Sequence, residues 1–294
     1  MRWAEGFIAV DWGTTNRRGY RIAADGRLAD ETEDDQGILS VPAGGFPAAV
    51  AQLRARLGDL PMLMAGMVGS NRGWVEARYV ACPAGPADLA SHLIWPEPDR
   101  VAIVPGVSFQ ANDDADVMRG EEVQIVGALA AGLMPGDALV CHPGTHNKWI
   151  RVEGGRIAAF RTVMTGELFN LLREHSILAD LLAQETGADA AFEAGARHGL
   201  CHDDLTAELF SIRARVLLGK ARREDAASYA SGLLIGSDVR IGLRAAPPRE
   251  IVVMGRPELT GLFAAALGMA GRSVRIVDGE EAFLGGARKL VEML

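Results

Sequence analysis

Apolar residues in this chain gather into short runs separated by turn residues, and two stretches repeat one plan. Residues 7–28 and residues 138–157 each contain an apolar run, a Gly-Thr loop, a second β-like run and a Gly-Arg turn. Short apolar runs bounded by turns are typical of buried strands. The pattern therefore predicts two similar β-hairpins, one in each half of the chain.

The two predicted hairpins match residue by residue through their loops. The matched pairs are Gly13 with Gly144, Thr14 with Thr145, Asn16 with Asn147, and Arg17 with Lys148. Glycine lets a backbone approach a ligand closely, and threonine hydroxyls with neighbouring amides suit phosphate oxygens. We expect both loops to bind phosphate and to hold one nucleotide from opposite sides. A chance likeness between two short hairpins is the alternative.

The rest of the chain alternates between strand and helix patterns, which predicts an α/β fold. In the first half we expect an extended piece at 37–41, helices at 46–57, 87–94 and 120–131, and strands at 61–65 and 101–104. After the second hairpin we expect a helix from Thr165, helices through 178–246 that end at Pro247-Pro248, strands at 250–254 and 273–277, and helices at 260–270 and 280–294. The predicted domains are residues 1–130 and 131–294, with the helix at 280–294 packing back on the first.

Composition and charge are typical of a globular protein. Hydrophobic residues make up 49% of the 294 residues and charged residues 23%, which is ordinary for a soluble domain. The formal net charge of −8 disfavours general nucleic-acid binding, which needs a basic surface. The longest apolar run, residues 125–134, is too short to cross a bilayer, and Glu5 and Asp11 interrupt the first apolar stretch, unlike in a signal peptide. The three cysteines are widely spaced, as in proteins with reduced thiols. From the charge, the short apolar runs and the cysteine spacing together, we expect a cytoplasmic protein with no membrane or nucleic-acid partner.

Asp11 ends the first predicted strand, directly before the Gly-Thr loop. Mg²⁺ takes oxygen ligands and keeps several waters, so one carboxylate beside nucleotide phosphates is enough to hold it. We interpret Asp11 as the metal-facing acid, and Gly13, Thr14 and Thr15 as phosphate contacts. An ordinary turn-forming aspartate is the alternative.

The second loop carries its own phosphate candidates. Thr145 offers a hydroxyl, Gly144 a bare backbone and Lys148 a positive charge. His146 either donates to phosphate or satisfies the loop backbone. The Walker A pattern GxxxxGK[ST] does not occur in the chain. A later Gly-Arg-Pro turn adds Gly255 as a weaker candidate for contact with a base or ribose.

Two other segments offer substrate-binding and acid–base chemistry. Arg72 and Trp74 lie in a Gly-rich loop, where an arginine offers a planar fork for a carboxylate and a tryptophan a wall for a sugar face. The DVMRGEE segment, residues 116–122, leads through a loop into the predicted helix at 120–131. A carboxylate at a helix entrance is a candidate general base, although acids there also complement the helix dipole. The base is left open among Asp116, Glu121 and Glu122, while Arg119 either pairs with these acids or binds substrate.

Together these motifs resemble one family of sugar kinases. The motifs are DWGTTNRR, GMVGSNRGWVEARY, DVMRGEE, HPGTHNKW, FRTVMTGELFNLL and EHSIL, which lie between residues 7 and 180. They resemble the 2-dehydro-3-deoxygalactonokinase family of the actin-like, sugar kinase and Hsp70 superfamily. The set as a whole is specific, whereas DWGTTN alone is shared with many sugar kinases. His142 and Arg256 depart mildly from the pattern expected for the superfamily.

The resemblance implies an α/β fold of two ribonuclease-H-like (actin-like ATPase) domains with an ATP cleft between them. It implies a sugar-acid site on the first domain and transfer of the ATP γ-phosphate, with Mg²⁺, to the 6-hydroxyl of 2-dehydro-3-deoxy-D-galactonate. Glu121 is then the first choice of base, Asp116 an alternative, and Asp11 the residue at the metal. The implied ATP contacts are Gly13, Thr14, Thr15, Gly144, Thr145, His146, Lys148 and Gly255. The implied substrate contacts are Asn16, Arg18, Arg72, Trp74 and Arg119.

Three alternatives stay open at this point. A kinase for another keto-deoxy sugar acid, such as 2-dehydro-3-deoxygluconate, would share every motif. An actin- or Hsp70-like ATPase module would share the hairpins but would leave the Arg and Trp loop unexplained. A sugar-responsive regulator would be expected to carry a helix-turn-helix before the first hairpin. The sequence does not fix the oligomeric state, for which a homodimer is one option.

Overall fold

A computed structural model describes residues 3–244 and 250–294, so the predicted helix break at Pro247-Pro248 lies outside the described residues. The chain divides into two compact units. The first comprises Met1–Leu133, Gly155–Ala159 and Glu280–Leu294, and the second comprises Met134–Gly154 and Phe160–Gly279. Within the described ranges, no helix combines the length and the apolar character needed to cross a membrane.

The first unit contains a main sheet and a smaller one. Its strands are β1 (Gly6–Trp12), β2 (Arg17–Ala23), β3 (Leu28–Asp34), β4 (Met62–Gly66), β5 (Val80–Ala81), β6 (Ile94–Glu97), β7 (Val101–Ile103), β8 (Val107–Ala111) and β9 (Asp114–Met118). The main sheet has the order β3-β2-β1-β4-β7-β6, and the smaller one the order β5-β8-β9. β1 pairs antiparallel with β2 and parallel with β4, as its nearly continuous apolar sequence favours for a central strand. The predicted first hairpin and the strands at 61–65 and 101–104 are confirmed.

Helices bury apolar faces against the strands or against one another. In the described residues they are α1 (Phe46–Leu57), α2 (Pro86–Ser91), α3 (Glu121–Ala130), α4 (Thr165–His175), α5 (Ala190–Cys201), α6 (Leu205–Leu217), α7 (Ala226–Arg244), α8 (Pro257–Met269) and α9 (Gly279–Glu292). The buried face of α1 packs on Trp12 and the neighbouring strands. In the first unit, the hydroxyl of Tyr20 on β2 donates to Glu280 on α9 at 3.0 Å.

Three local predictions in the first unit are wrong. The piece at 37–41 is not extended but contains a 3₁₀ turn, Ile38–Ser40, and the helix expected at 87–94 ends at Ser91, before β6. Asp116 is not in a loop at the entrance of α3 but within β9. β3 and β9 lacked a strand signal because they are polar and largely exposed, and tertiary pairing rather than an apolar pattern defines them.

The second unit repeats the strand order of the first main sheet. Its sheet is formed by β10 (Ala138–His142), β11 (Asn147–Glu153), β12 (Arg156–Val163, of which the part from Phe160 onward belongs to this unit), β13 (Ile251–Gly255) and β14 (Val274–Asp278), in the order β12-β11-β10-β13-β14. β10 pairs antiparallel with β11 and parallel with β13, as β1 does with β2 and β4. The second hairpin, the helix start at Thr165 and the later strands and helices are confirmed where they fall in the described residues. Because parallel neighbours end at one edge, the loops after β10 and β13 lie side by side.

Candidate active site

The first Gly-Thr loop is held from behind by the 3₁₀ turn. The amide of Gly37 donates to Thr15 O at 2.9 Å, and that of Leu39 to Thr14 O at 3.2 Å. A Cβ added to Gly37 would lie 2.3 Å from Thr14 O, so the close approach requires glycine. The loop carbonyls are thus occupied, and the side chains of Thr14, Thr15 and Asn16 are exposed.

Asp11 and the start of α3 converge on Gly66, the last residue of β4. A Cβ on Gly66 would lie 3.4 Å from Asp11 Oδ1, and a Cβ on Gly120 would lie 3.4 Å from Gly66 Cα. Gly66 has a φ of 89° and Gly120 a φ of 113°, conformations that favour glycine. The fold therefore brings the metal candidate and the start of α3, more than 100 residues apart in sequence, to the end of one strand.

Two glutamates occupy the first turn of α3 in different environments. Glu122 is fully buried, and both of its oxygens accept the Gly120 amide, at 2.7 and 2.9 Å. Burial, with the neighbouring charge of Glu121, raises the pKa of Glu122 to about 8. Glu121 is only half-buried and accepts the amide of Arg119 at 3.1 Å. Asp116 lies within β9, where its Oδ1 accepts the amide of Val117 at 2.8 Å.

Arg119 is anchored through one end of its guanidinium. Its Nη2 donates to Ala77 O at 2.7 Å, and the group lies 4.5 Å from the ring centroid of Tyr79. Its Nε and Nη1 are buried and find no hydrogen-bond partner among residues 3–244 and 250–294. A buried donor without a partner is costly, so these two nitrogens are suited to an anion brought by a ligand.

The other substrate candidates differ in how far their side chains are already engaged. Arg72 is exposed and forms no ion pair within the part of the chain that the structure describes. Trp74 is half-buried and stacks on Phe46, with ring centroids 6.3 Å apart, so one of its faces already belongs to the core. Arg18 pairs with Glu33 at 2.9 Å and lies opposite Asp11 in the hairpin.

The second loop is backed by the start of α4. The amide of Glu167 donates to Thr145 O at 2.9 Å, and a Cβ on Gly166 would lie 2.7 Å from Gly144 O. Apart from its neighbours in sequence, no atom of the described residues lies within 4 Å of a Cβ built on Gly144, so that backbone faces open space there. The structure pairs the exposed His146 with the carboxylate of Glu167.

Lys148 and Gly255 complete the predicted ATP contacts. Lys148 is 6% exposed, and its Nζ donates to Thr162 Oγ1 at 2.7 Å, so its ammonium points into the hairpin rather than into solvent. Gly255 follows β13 with a φ of 149°, and a Cβ there would lie 3.6 Å from Pro143 O. Gly255 therefore lies beside the second loop.

A buried aspartate that the sequence did not reveal lies under the second loop. Asp238 on α7 is 1% exposed and accepts hydrogen bonds from Asn147, Trp149 and Thr165. Its place within an apolar helix was the only local signal, because its nearest partner in sequence is 73 residues away.

Comparison with known proteins identifies the chain. It is 35% identical, with a TM-score of 0.92 and 98% of each chain covered, to a crystal structure from Sinorhizobium meliloti assigned as a 2-dehydro-3-deoxygalactonokinase. It is 38% identical over 97% of each chain to 2-dehydro-3-deoxygalactonokinase from Escherichia coli K12. The activator of the 2-hydroxyisocaproyl-CoA dehydratase from Clostridium difficile is 12% identical, with a TM-score of 0.50 over 98% of this chain and 95% of that one, a likeness of fold alone.

The two hairpin sheets of matching strand order, together with this likeness, show the α/β fold of two ribonuclease-H-like, actin-like ATPase units that the sequence predicted. The model of the 2-keto-3-deoxy-galactonokinase family matches residues 11–290, and the chain belongs to that family. It is therefore a sugar-acid kinase with ATP as its co-substrate.

Proposed function

We propose that this kinase transfers the γ-phosphoryl group of ATP to the 6-hydroxyl of 2-dehydro-3-deoxy-D-galactonate. The observation that carries the proposal is the group of residues around Gly66. There the structure brings a strand-end carboxylate, Asp11, near the start of α3, whose first two residues are glutamates, preceded in sequence by Arg119 with its unpartnered nitrogens. A sugar acid requires a cation for its carboxylate and a base for its hydroxyl, and this group offers both.

Glu121 is the residue that we assign as general base. Glu122 is enclosed, and both of its oxygens are engaged by Gly120, whereas Glu121 is half-buried. Because the pKa of Glu122 is raised to about 8, that carboxyl is largely protonated at neutral pH and is a poor acceptor for the hydroxyl proton. We assign Glu121 to take that proton as the hydroxyl oxygen attacks the γ-phosphorus and the bond to the β–γ bridging oxygen breaks.

Arg119 or Arg72 holds the carboxylate of the sugar acid. Arg119 is the stronger candidate, because a ligand carboxylate would satisfy its buried Nε and Nη1 in a charge-assisted pair. Arg72 is a second, solvent-exposed candidate. The exposed Asn16, the free face of Trp74 and Arg18 are assigned to the remaining sugar contacts.

The two Gly-Thr loops supply the contacts to ATP. Thr14 and Thr15 on the first loop, and Gly144 and Thr145 on the second, present exposed hydroxyls or open backbone. His146 and Gly255 flank the second loop. Lys148, buried against Thr162, is assigned a supporting role in which its charge contributes to the field at the phosphates.

Asp11 suits a Mg²⁺ ion that arrives with the nucleotide. No group of three or more His, Cys, Asp or Glu side chains able to hold a metal occurs in the described residues. A single carboxylate with phosphate oxygens and water is the usual ligand set for nucleotide-bound Mg²⁺, and Asp11 offers that oxygen at a strand end. When bound, the ion would offset negative charge on the phosphates.

Release of ADP tests the proposal. The enzyme would be assayed with ATP and Mg²⁺ against the galactonate and gluconate epimers of the 2-dehydro-3-deoxy acid, the parent aldonates, and no acceptor. We expect turnover with the galactonate epimer at a higher kcat/KM than with any other acceptor. A preference for the gluconate epimer would replace the proposed substrate, and equal ADP release without acceptor would show an ATPase instead.

A further inference from the structure

The carboxylate of Asp238 accepts hydrogen bonds from residues on both sides of the second loop. Asn147 Nδ2 lies 2.9 Å from each oxygen of Asp238, and Trp149 Nε1 lies 2.7 Å from Oδ1. Thr165 Oγ1 donates to Oδ2. Asn147 begins β11, directly after the loop, and Thr165 begins α4. Asp238 therefore joins the hairpin to the helix whose first turn contacts Gly144 and Thr145.

This carboxylate is unusual in its surroundings. All of its hydrogen-bond donors in the described residues are uncharged, and the nearby titratable group is the buried thiol of Cys141. A buried carboxylate without a cation has a large desolvation cost, and burial raises the pKa of Asp238 to about 6 although its hydrogen bonds oppose the rise. At neutral pH it is mainly ionised, and hydrogen bonds to an ionised acceptor are stronger than those between neutral groups.

We propose that Asp238 is a positioning residue for ATP, which sets the shape of the Gly144–Thr145 phosphate loop by holding Asn147 and Thr165. This inference rests on the proposed kinase function. The contacts that connect Asp238 to the loop are few. Asp238 accepts a hydrogen bond from Thr165. The next residue of α4, Gly166, packs against Gly144, and the one after it, Glu167, donates its amide to Thr145 O. Loss of the carboxylate would loosen the loop from both sides without removing any group that touches the nucleotide.

Asp238→Asn tests the proposal with little change in volume. An amide places its NH₂ against donors and leaves at least one of them without an acceptor. Losing a charge-assisted hydrogen bond of this kind corresponds to roughly a tenfold to hundredfold effect. We expect the KM for ATP to rise by that factor, while the KM for the sugar acid changes less than about twofold. Ser237→Ala is the matched control, since Ser237 is the preceding buried residue of α7 and bonds Arg240 instead.

An exchange of partners separates positioning from a general loss of stability. In the double variant Asn147→Asp with Asp238→Asn, the amide and the carboxylate trade places, so part of the ATP affinity should return. Thr165→Val removes a single donor and should give a smaller rise in the KM for ATP, which keeps the test available if Asp238→Asn does not fold. Calorimetric titration with a non-hydrolysable ATP analogue reports the same affinities without turnover.

The possible outcomes separate a failure of the positioning role from a failure of the proposed kinase function. Equal changes in both KM values, or a lower active fraction with both KM values unchanged, would overturn the positioning role. If the wild type binds the ATP analogue but transfers no phosphate to the sugar acid, the proposed function fails. The effect of Asp238→Asn on ATP analogue binding would still decide this inference on its own.

Discussion

The buried carboxyl group of Glu122 accepts a hydrogen bond from the backbone amide of Gly120 and so closes the first turn of α3. Both carboxyl oxygens lie within 2.9 Å of the Gly120 nitrogen, so a glutamate within the helix satisfies an amide at its start. Gly120 itself has a φ of 113°, which lets the chain turn from β9 into α3 beside Gly66. This closed turn removes Glu122 from solvent, whereas Glu121 stays half-buried and accepts the amide of Arg119.

Glu122 should make the stability of the protein depend on pH. Its pKa rises from an ordinary glutamate value of 4.5 to about 8 in the fold, so the folded protein binds more protons than the unfolded chain between these values. The free energy of unfolding should therefore fall as pH rises from about 5 to 8, by an amount on the order of a few kcal/mol. Urea denaturation across this range measures the slope.

Glu122→Gln is the variant that isolates this contribution, because glutamine keeps the neutral shape and does not titrate. Its free energy of unfolding should fall less steeply between pH 5 and 8 than that of the wild type. Parallel curves for the two proteins would contradict a raised pKa at Glu122.

Asp11→Asn should abolish phosphoryl transfer and leave the fold intact. The substitution keeps the side-chain shape at the end of β1 but removes the negative charge proposed to face Mg²⁺. Turnover at saturating Mg²⁺, together with the circular dichroism spectrum and thermal midpoint, would be compared with those of Glu31→Gln, which changes an exposed acid on β3. Near-normal turnover by Asp11→Asn would remove Asp11 from the metal site.

Glu121→Gln should lower kcat by about 10²–10⁴-fold, the usual contribution of a positioned general base, and leave ATP binding nearly unchanged. The same amide change at Glu122 or Asp116 should lower kcat much less, because one is enclosed and the other lies in β9. Pre-steady-state phosphoryl transfer would be measured for all three variants side by side. If Asp116→Asn proves the most damaging, the base belongs to the β8–β9 hairpin rather than to α3.

Arg119→Lys should raise the KM for the sugar acid by roughly tenfold or more and change the KM for ATP little, because lysine cannot offer the planar fork of nitrogens. Arg72→Lys should raise the KM for the acid less, since Arg72 is exposed to water. Steady-state kinetics with each substrate varied in turn measures both effects. A larger effect at Arg72 would transfer the carboxylate contact to that residue, and equal effects on the acid and ATP would exclude both as carboxylate contacts.

Local sequence determined those elements whose own composition carries the signal. The two hairpins were predicted because apolar runs, Gly-Thr loops and Gly-Arg turns occur together within about 20 residues, a span over which turn chemistry and strand periodicity act directly. The helix at 46–57 followed from helical spacing in the same way and matches α1, and the helix expected at 120–131 agrees with α3 to within one residue at each end. Family membership was also available from the sequence, since its motifs are contiguous.

Only the tertiary structure decided which residues meet. β3 and β9 are polar strands that exist because a neighbouring strand pairs with them. The burial of Glu122 beside a half-buried Glu121 depends on the elements packed around α3, so the sequence alone could not separate two adjacent glutamates. Asp238 lies 91 residues from Asn147 in sequence, and a hydrogen bond between residues so far apart produces no periodic pattern in the sequence. Long-range contacts of this kind arise from packing, which the local pattern permits but does not specify.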